Sequence, residues 1–568
     1  MLYAGLLSLL MPTGIWLLQS AATPRDQEAR VAATGLLVLV TAALAYIATG
    51  FAIMFGGIGN LLHTPEFGGY THVVALPVID QNWGLFGLHG FFLSDAANVK
   101  VFALLISYLP LSVSSAMLMS SALGTRARLS VHLVFAAVIS GVLFPVTGYW
   151  LWGGGWLAAL GTNLNLGHGA VDIGGLSSAA LVAGSAGLAW LVLGPRRAYQ
   201  ENPQLPDTHF PFRAVSGIVL LLIGSVSYVA GNPLYPQSAV TAINVMALNS
   251  LVAVSMAIML AVAYSVFASR RIDVLLASRA ALAALILVGM GGFLLPPWTA
   301  VMAALIAVAL STIGYFYINE VLRLQDDAGA ISAWIAPALF GALLSGLFAS
   351  GSFTAGWNGV GTDGYLGITN LGVTGALPGG AVTGDPGQLT AQITSSLVLL
   401  AFSTVAALPV AWLLRVIGAR RPVVSQPEMM PLGKSDAVTA DIGVAVPVAA
   451  PRPAVVPAAA AEGETAEQHI IPSAATQSSI LQPEAAPSVN QLPPVPEQKI
   501  TPVARQNGAS WFDKLRALRN RNKQPDAPVQ PRYVAYPTRA GGRRILMRPI
   551  SKAAGEPPAG TEGSKPAS

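Results

Sequence analysis

The sequence contains no cysteine. That absence excludes disulfide bonds, thiolate metal sites and cysteine nucleophiles. Charged residues are also scarce, since Asp, Glu, Lys and Arg make up only 10% of the chain, against roughly a quarter in ordinary soluble domains. A chain with so little charge is not composed like a water-soluble protein, so most of it is predicted to lie in a lipid bilayer.

Apolar residues, by contrast, make up 53% of the chain, and their distribution divides it near residue 422. Residues 1–421 alternate apolar runs of about 20 residues with short polar connections, and we interpret them as a membrane domain. Residues 422–568 are rich in Pro and Ala and contain no sustained apolar run. This tail cannot bury enough surface to offset its ordering entropy, so it is predicted to be disordered.

The membrane domain is predicted to be an all-α bundle that crosses the bilayer eleven times. A bilayer core of about 30 Å needs roughly 20 residues of helix per crossing. The predicted spans are residues 2–20, 31–57, 99–122, 130–151, 173–194, 213–231, 241–268, 276–294, 298–318, 329–350 and 388–416. The first could instead be a signal peptide, but it lacks a basic region at its start, which favours a retained span.

The basic residues of the connections give the orientation. They follow spans one, three, five, seven, nine and eleven: Arg25, Arg30, Arg126, Arg128, Arg196, Arg197, Arg270, Arg271, Arg279, Arg323, Arg415, Arg420 and Arg421. The intervening connections carry mainly acids: Glu66, Asp80, Asp95, Asp363 and Asp385. Lys100 is the exception and could extend to the interface. The positive-inside rule therefore predicts an external N-terminus and a cytoplasmic tail in the cell membrane.

Several stretches, taken in order, resemble the ammonium transporter family (Amt/Mep/Rh) over about residues 1 to 420. Residues 152–161 are similar to the tryptophan–glycine turn after its fourth span, and residues 172–197 to its fifth span. Three further stretches are similar to the end of the third span, to the tenth span and to the start of the eleventh: ALGTRAR at 122–128, QDDAGAISAWIAPALFGALLSGLF at 325–348 and TGDPGQLTAQ at 383–392. Five matches in the right order make the resemblance specific.

The resemblance implies an architecture and a mechanism. Spans one to five and six to ten would be inverted repeats, and three copies would assemble into a trimer with one path per subunit. Ammonium would be recruited at an external vestibule, pass a phenylalanine constriction and then pass two paired histidines in the pore.

The vestibule residues are carried over one at a time. Trp152 matches the tryptophan whose π face can hold a cation, although a tryptophan of the interfacial belt is an alternative reading. Asp172 matches the aspartate at the start of the fifth span, which we interpret mainly as a helix cap. The constriction phenylalanines map to Leu111 and Tyr228. The small hydroxyl residue of the vestibule maps to Asn232, whose carbonyl could face a cation.

Both pore histidines are replaced. The first, eight residues after the aspartate, is Ala180, and the second is Trp334 or Ile335, depending on a one-residue gap near Pro337. None of these side chains can relay a proton. The sequence therefore predicts a channel or transporter for ammonium, ammonia or another small neutral molecule, with impaired electrogenic transport. The alternative is a transport-inactive sensor or scaffold that signals through its tail.

An enzyme is not predicted, because the spans show no metal-ligand spacing and no nucleophile–base arrangement; no metal or cofactor is expected either. In the tail, residues 510–523 place Trp511, Leu515 and Leu518 at helical spacing among basic residues. This basic amphipathic segment indicates a membrane surface or a cytoplasmic partner, although a solvated basic run is the alternative. Nucleic-acid binding is not expected without a folded reader domain.

Overall fold

The computed structural model describes residues 2–78, 81–94, 98–194, 210–235, 240–353, 355–361, 366, 368–379 and 383–419. In this part of the chain ten helices are long and apolar enough to cross a membrane. A shorter apolar helix, Val274–Gly289, lies between the seventh and the eighth of these and makes eleven in all. In chain order the eleven are α1 Tyr3–Ala21, α2 Arg25–Leu62, α3 Val99–Leu123, α4 Leu129–Trp152, α5 Leu176–Leu193, α6 Pro211–Gly231, α7 Ala242–Ser269, α8 Val274–Gly289, α9 Thr299–Val321, α10 Ala330–Phe348 and α11 Pro386–Ile417. The predicted all-α, eleven-helix architecture is confirmed.

Helix packing shows the repeat of five plus five. In the first half, α2 packs against α4 and α3 against α5; in the second, α7 packs against α9 and α8 against α10. The pairs α1–α3 and α6–α8 correspond in the same way. Because each repeat holds an odd number of helices, the second repeat begins on the opposite side of the membrane from the first. The two repeats meet where α1 packs on α6 and α5 on α10.

The helices α3 and α5 lie in the core of the bundle. In each of them, 78% of the most apolar 18-residue stretch is buried. For α9 and α11 the corresponding share is 22%. Their exposed apolar residues face outward, where lipid or a neighbouring copy would cover them. Together with their symmetry partners α8 and α10, which are also largely buried, α3 and α5 form the centre of the bundle.

Two glycines allow the two repeats to approach closely. A Cβ atom on Gly14 of α1 would lie 2.6 Å from the carbonyl oxygen of Gly217, and one on Gly217 would lie 2.8 Å from that of Gly14. Small residues at both positions let the two backbones touch, as in other membrane helix pairs. This contact fixes α1 on α6, so α1 is an integral part of the bundle.

The eighth helix is shorter than predicted. Sequence patterning placed it at residues 276–294, whereas α8 ends at Gly289 and continues into a 3-10 turn at Gly292–Leu294. Its 16 residues span only about 24 Å. Asn249, buried in α7, donates from Nδ2 to the carbonyl oxygens of Gly292 at 3.1 Å and Leu295 at 2.9 Å. These bonds satisfy backbone groups that an α-helix would otherwise have paired.

A β-hairpin that the sequence patterning did not predict connects α2 to α3. Its strands are β1 Val73–Val78 and β2 Gln81–Gly87, paired antiparallel. The Trp150 indole donates to the carbonyl of Leu85 at 2.8 Å and fixes β2 on α4. Lys100, the exception in the basic-residue pattern, pairs with Glu66 at 2.7 Å, and this ion pair lowers the pKa of Glu66. The charge of Lys100 is therefore neutralised by Glu66.

Some sequence predictions lie outside the described residues. They are the charges of Asp80, Asp95, Arg196, Arg197, Asp363, Arg420 and Arg421, and the whole of the predicted tail 422–568 with its basic segment 510–523.

Candidate functional site: the entrance to the α5 helix

The entrance end is the end of the bundle at which α5 begins, and Trp152 lies there, buried at the end of α4. Its indole Nε1–H donates to the carbonyl oxygen of Asp172 at 3.1 Å. The ring centroids of Tyr108 and Phe144 lie 5.4 and 6.2 Å from the Trp152 ring, within the range of aromatic contacts. The indole is therefore held at both its edge and its surface, and only 7% of the residue is exposed.

The aromatic residue that α3 contributes is Tyr108, one turn before the predicted Leu111. Leu111 packs beneath the start of α5, since a Cβ on Gly175 would fall 2.3 Å from its Cδ1. Tyr108 instead faces both Trp152 and Tyr228, whose ring centroid lies 5.6 Å away. Counting back from the ALGTRAR stretch without a gap misses it by one turn. The only sign of the role of Tyr108 in the sequence is that it is an aromatic residue three positions before Leu111.

Tyr228 and Asn232, which are four residues apart, contact each other at the end of α6. The Asn232 Nδ2 group donates to the hydroxyl oxygens of Tyr228 and of Tyr108, both at 3.0 Å. Its Oδ1 accepts the backbone N–H of Leu234 at 3.0 Å. All three side chains are fully buried. The carbonyl oxygen of Asn232 therefore accepts one hydrogen bond within the cluster.

Two further aromatic residues, which sequence comparison did not single out, cover this cluster. Tyr235 donates its hydroxyl to the carbonyl of Ile173 at 2.7 Å, and the Trp357 ring stacks on it at 5.9 Å. Trp357 begins a tight turn that Val360 closes, with positive φ at Asn358 (48°) and Gly359 (77°). An Asn-Gly pair is the favoured sequence for such a turn.

Asp172 caps α5, as predicted. Its carboxylate accepts the backbone N–H groups of Gly175 at 3.0 Å and Ser178 at 2.8 Å, and the Ser178 hydroxyl at 2.6 Å. Burial raises the pKa of Asp172 to about 6, against the opposing effect of these hydrogen bonds. The carboxylate faces the helix start and makes its hydrogen bonds there, so its effect on a passing cation is indirect.

The backbone before α5 is irregular, and two glutamines of α11 form hydrogen bonds with its N–H and carbonyl groups. Gln388 accepts the N–H of His168 at 2.8 Å and donates to the carbonyl of Gly169 at 2.9 Å. Gln392 makes the same pair of bonds with Val171, both at 2.8 Å. His168 is fully buried with Nε2 3.0 Å from the Leu371 carbonyl oxygen, and burial lowers its pKa. The histidine and both glutamines therefore hold the entrance loop in place.

The residues matched by resemblance to the two pore histidines, Ala180 and Trp334 or Ile335, are buried where α5 packs against α10. Ala180 and Trp334 are 0% and 2% exposed. Asp326 caps α10 through the N–H groups of Ala330 and Ile331, each at 2.8 Å, so Trp334 follows its capping aspartate at the same interval as Ala180. Ile335 also packs against α5, since a Cβ on Gly184, one turn after Ala180, would lie 2.6 Å from Ile335 Cγ1.

A π-helical turn explains why the sequence left two choices for the second position. Residues Ala330–Ile335 form this turn at the start of α10. A π turn accommodates one residue more than an α turn and shifts the following side chains around the axis. The second position is therefore Trp334 when residues are counted from the capping aspartate, and Ile335 when the extra residue of the π turn is allowed for.

These features define a polytopic helical membrane protein with two structural repeats. Its two central helices, α5 and α10, each begin with an aspartate cap. The sequence profile of the Ammonium Transporter Family matches residues 1–435. The chain belongs to this family, an integral membrane family of transporters and channels, and it is not an enzyme. The described residues contain no group of three or more His, Cys, Asp or Glu that could hold a metal ion.

Individual relatives agree with this assignment. The chain is 27% identical over 354 residues to ammonium transporter Amt2 of Archaeoglobus fulgidus, covering 61% of this chain and 70% of that protein. It is 28% identical over 229 residues to ammonium transporter Amt1 of Methanocaldococcus jannaschii, covering 39% of this chain and 54% of that protein.

Solved structures share the fold. One titled Sensor Amt Protein superposes with a TM-score of 0.56 at 18% identity, covering 73% of this chain and 91% of that one. Mep2 of Candida albicans superposes with a TM-score of 0.56 at 19% identity, covering 72% and 81%.

Proposed function

We propose that this protein is a channel that passes ammonia or another small uncharged molecule and carries little electrogenic ammonium current. The proposal is supported by the residues at the positions matched by resemblance to the two pore histidines, which are Ala180 and Trp334 or Ile335. Neither α5 nor α10 contains an ionisable side chain.

The energetic argument follows from the cost of burying a cation. Taking ammonium out of water costs several kcal/mol even after the protein relaxes. An imidazole that titrates near neutrality can relay the proton while the neutral molecule crosses, whereas alanine and tryptophan cannot. Charge transfer through α5 and α10 is therefore disfavoured more strongly than passage of a neutral solute.

The assembly and orientation proposed from the sequence complete this picture. We propose a homotrimer in the cell membrane with an external N-terminus and a cytoplasmic tail. The outward apolar faces of α9 and α11 supply surface for lipid and for neighbouring copies, and the alternation of basic residues supports the orientation. Native mass spectrometry and protease access to the tail in sealed vesicles test the two parts separately.

Transport is tested in proteoliposomes containing the full chain, with ammonium or methylammonium uptake, internal pH and current recorded together. Uptake that alkalinises the lumen without current is expected. The double variant Ala180→His/Trp334→His should restore a current, whereas each single variant should not, because a relay needs both groups. Robust current from the unmodified protein would overturn the proposal.

A second candidate, a transport-inactive sensor or scaffold, is favoured by the closed side-chain packing at the entrance. In this case neither uptake nor current would be detected. The basic segment 510–523 would then be the place to look for a membrane surface or a cytoplasmic partner. Changing Lys514, Arg516 and Arg519 to Gln should weaken binding of the full chain to that partner and leave the membrane domain folded.

A further inference from the structure

Two imidazole rings meet at the neck of the β-hairpin, which is the end that joins the two strands to the helices. The ring centroids of His72, just before β1, and His89, just after β2, lie 5.7 Å apart, with the ring planes 19° from parallel. The backbone N–H of Leu88 closes the neck by donating to the carbonyl oxygen of His72 at 2.9 Å. His72 is exposed and His89 is partly buried, so protons from the solvent reach the pair.

The neck lies directly on the end of α2. A Cβ atom on Gly56 would fall 2.5 Å from the backbone nitrogen of His89, and one on Gly87 would fall 2.6 Å from the nitrogen of Gly56. Glycine at both positions lets the two backbones touch. Because this contact joins backbone to backbone, any movement of the neck changes the packing of the hairpin on α2.

Aromatic side chains continue this contact into the bundle. The Tyr70 ring lies 4.8 Å from His89 and 6.3 Å from Phe51 of α2. Phe51 contacts Phe55 at 5.7 Å, and Phe55 contacts Tyr108 at 4.8 Å. These centroid distances are those of ordinary aromatic pairs. The histidine pair is therefore linked by direct contacts to the end of α2 and to the aromatic residue that α3 places at the entrance.

The charge of the neck depends on the two histidines, since histidine ordinarily changes its charge between pH 5 and 8. The described segments that pack around the neck carry these other titratable groups: His63, Glu66, Tyr70, Lys100 and Tyr149. Among them the carboxylate of Glu66 is already paired with Lys100 at 2.7 Å. Two neutral imidazoles pack against each other, whereas two imidazolium ions at this separation repel each other.

We propose that His72 and His89 form an acid-sensitive latch on the hairpin. The neck stays closed while the imidazoles are neutral, and protonation of both opens it and uncovers the end of α2. In the proposed orientation the hairpin lies outside the cell, so the latch responds to external pH. It lies outside the pore-histidine positions and does not depend on the proposed channel function.

Amide hydrogen exchange of the full chain in detergent tests the latch, with rates corrected for the intrinsic effect of pH. Between about pH 8 and about pH 5, protection of the Leu88 amide should fall at least about fivefold. His72→Gln should abolish this fall, because the two rings can no longer both become charged. His63→Gln is the control, since His63 is an exposed histidine before the same hairpin, and it should keep the fall. No fall in the wild type, or an equal fall in His72→Gln, would overturn the latch.

The uncovering of α2 is tested separately, and the absence of cysteine from the chain makes this measurement specific. Ala52→Cys places a thiol on a fully buried position of α2, one turn before Gly56. At the lower pH it should react with a thiol reagent at least about fivefold faster than the same cysteine in the His72→Gln background. Ile58→Cys, also buried, replaces it if the first variant does not fold. Equal reaction rates in the two backgrounds would show that the end of α2 stays covered.

Discussion

Asp172 and Asp326 are buried carboxylates that each accept two backbone N–H groups from the start of the helix that follows. They stand before α5 and α10, the corresponding helices of the two repeats. Burial raises the pKa of both groups. The repeat is therefore preserved in its helix caps even though the residues eight positions later, Ala180 and Trp334, differ between the two repeats.

Replacing Asp172 by alanine should destabilise the membrane domain. The variant leaves the N–H groups of Gly175 and Ser178 without their buried acceptor, at an expected cost of roughly 2–4 kcal/mol. The matched control is Asp273→Ala, since Asp273 caps α8 through a single N–H bond from Leu276 and is partly exposed. That change should cost about 1 kcal/mol. Thermal unfolding in detergent measures both, and equal losses would contradict the assigned role.

Stability should depend on pH through the same carboxyl. Its pKa is about 6 in the fold and 3.8 ordinarily, so folding favours the protonated form. The contribution is fully present below pH about 4 and is lost as pH rises through about 6, amounting to roughly 2–3 kcal/mol. Asp172→Asn removes this titration. The free energy of unfolding is measured for the wild type and the variant between pH 4 and 7. The difference between the two should decline as pH rises, and a difference that does not change with pH would contradict the prediction.

The glutamines of α11 should be needed for the entrance loop. Gln392→Ala leaves the N–H and carbonyl groups of Val171 buried without partners, at an expected cost of roughly 2–4 kcal/mol. Thr390→Ala on the same helix is the control, because Thr390 is exposed and bonds only to its own helix. Amide hydrogen exchange should rise around residue 171 in the first variant alone. Unchanged exchange there would show that the loop is held by other contacts.

The contact between α1 and α6 should not tolerate a larger residue. A methyl group at Gly14 meets backbone and side-chain atoms at 2.6–2.9 Å, so Gly14→Ala is expected to cost about 1–3 kcal/mol by forcing the helices apart. Gly289→Ala serves as the comparison, since its nearest neighbour, Ser177 Oγ, lies 3.7 Å away. The melting temperature should fall in the first variant and stay nearly constant in the second.

The number and order of the helices could be predicted from the sequence because each crossing needs about 20 apolar residues. The role of Asp172 as a helix cap could be inferred as well, since it depends on the position of the residue just before a helix. The eighth helix was placed too long because Asn249, distant in sequence, satisfies backbone that apolar patterning reads as helix.

Features that depend on distant partners were not predictable. The roles of Gln388 and Gln392 become apparent only when α11 is packed beside the loop before α5, since the residues they bond to are about 220 positions earlier in the chain. The π turn at Ala330–Ile335 shifts the register by one residue without any marker in the composition. Tyr108 was not singled out because an ungapped count cannot detect which of two residues, one turn apart, contacts Trp152 and Tyr228.

The helix α11 has no counterpart in the repeat, so the loops before α5 and α10 are held by different kinds of element. Before α5, the glutamines of α11 make four buried bonds of 2.8–2.9 Å. Before α10, the carbonyl oxygens of Asp326 and Asp327 accept bonds from Asn319 at 3.2 Å, Tyr315 at 3.4 Å and Arg279 at 3.3 Å, all from α8 and α9 of the same repeat. Loss of α11 would therefore release one of two related loops and leave the other with its own partners.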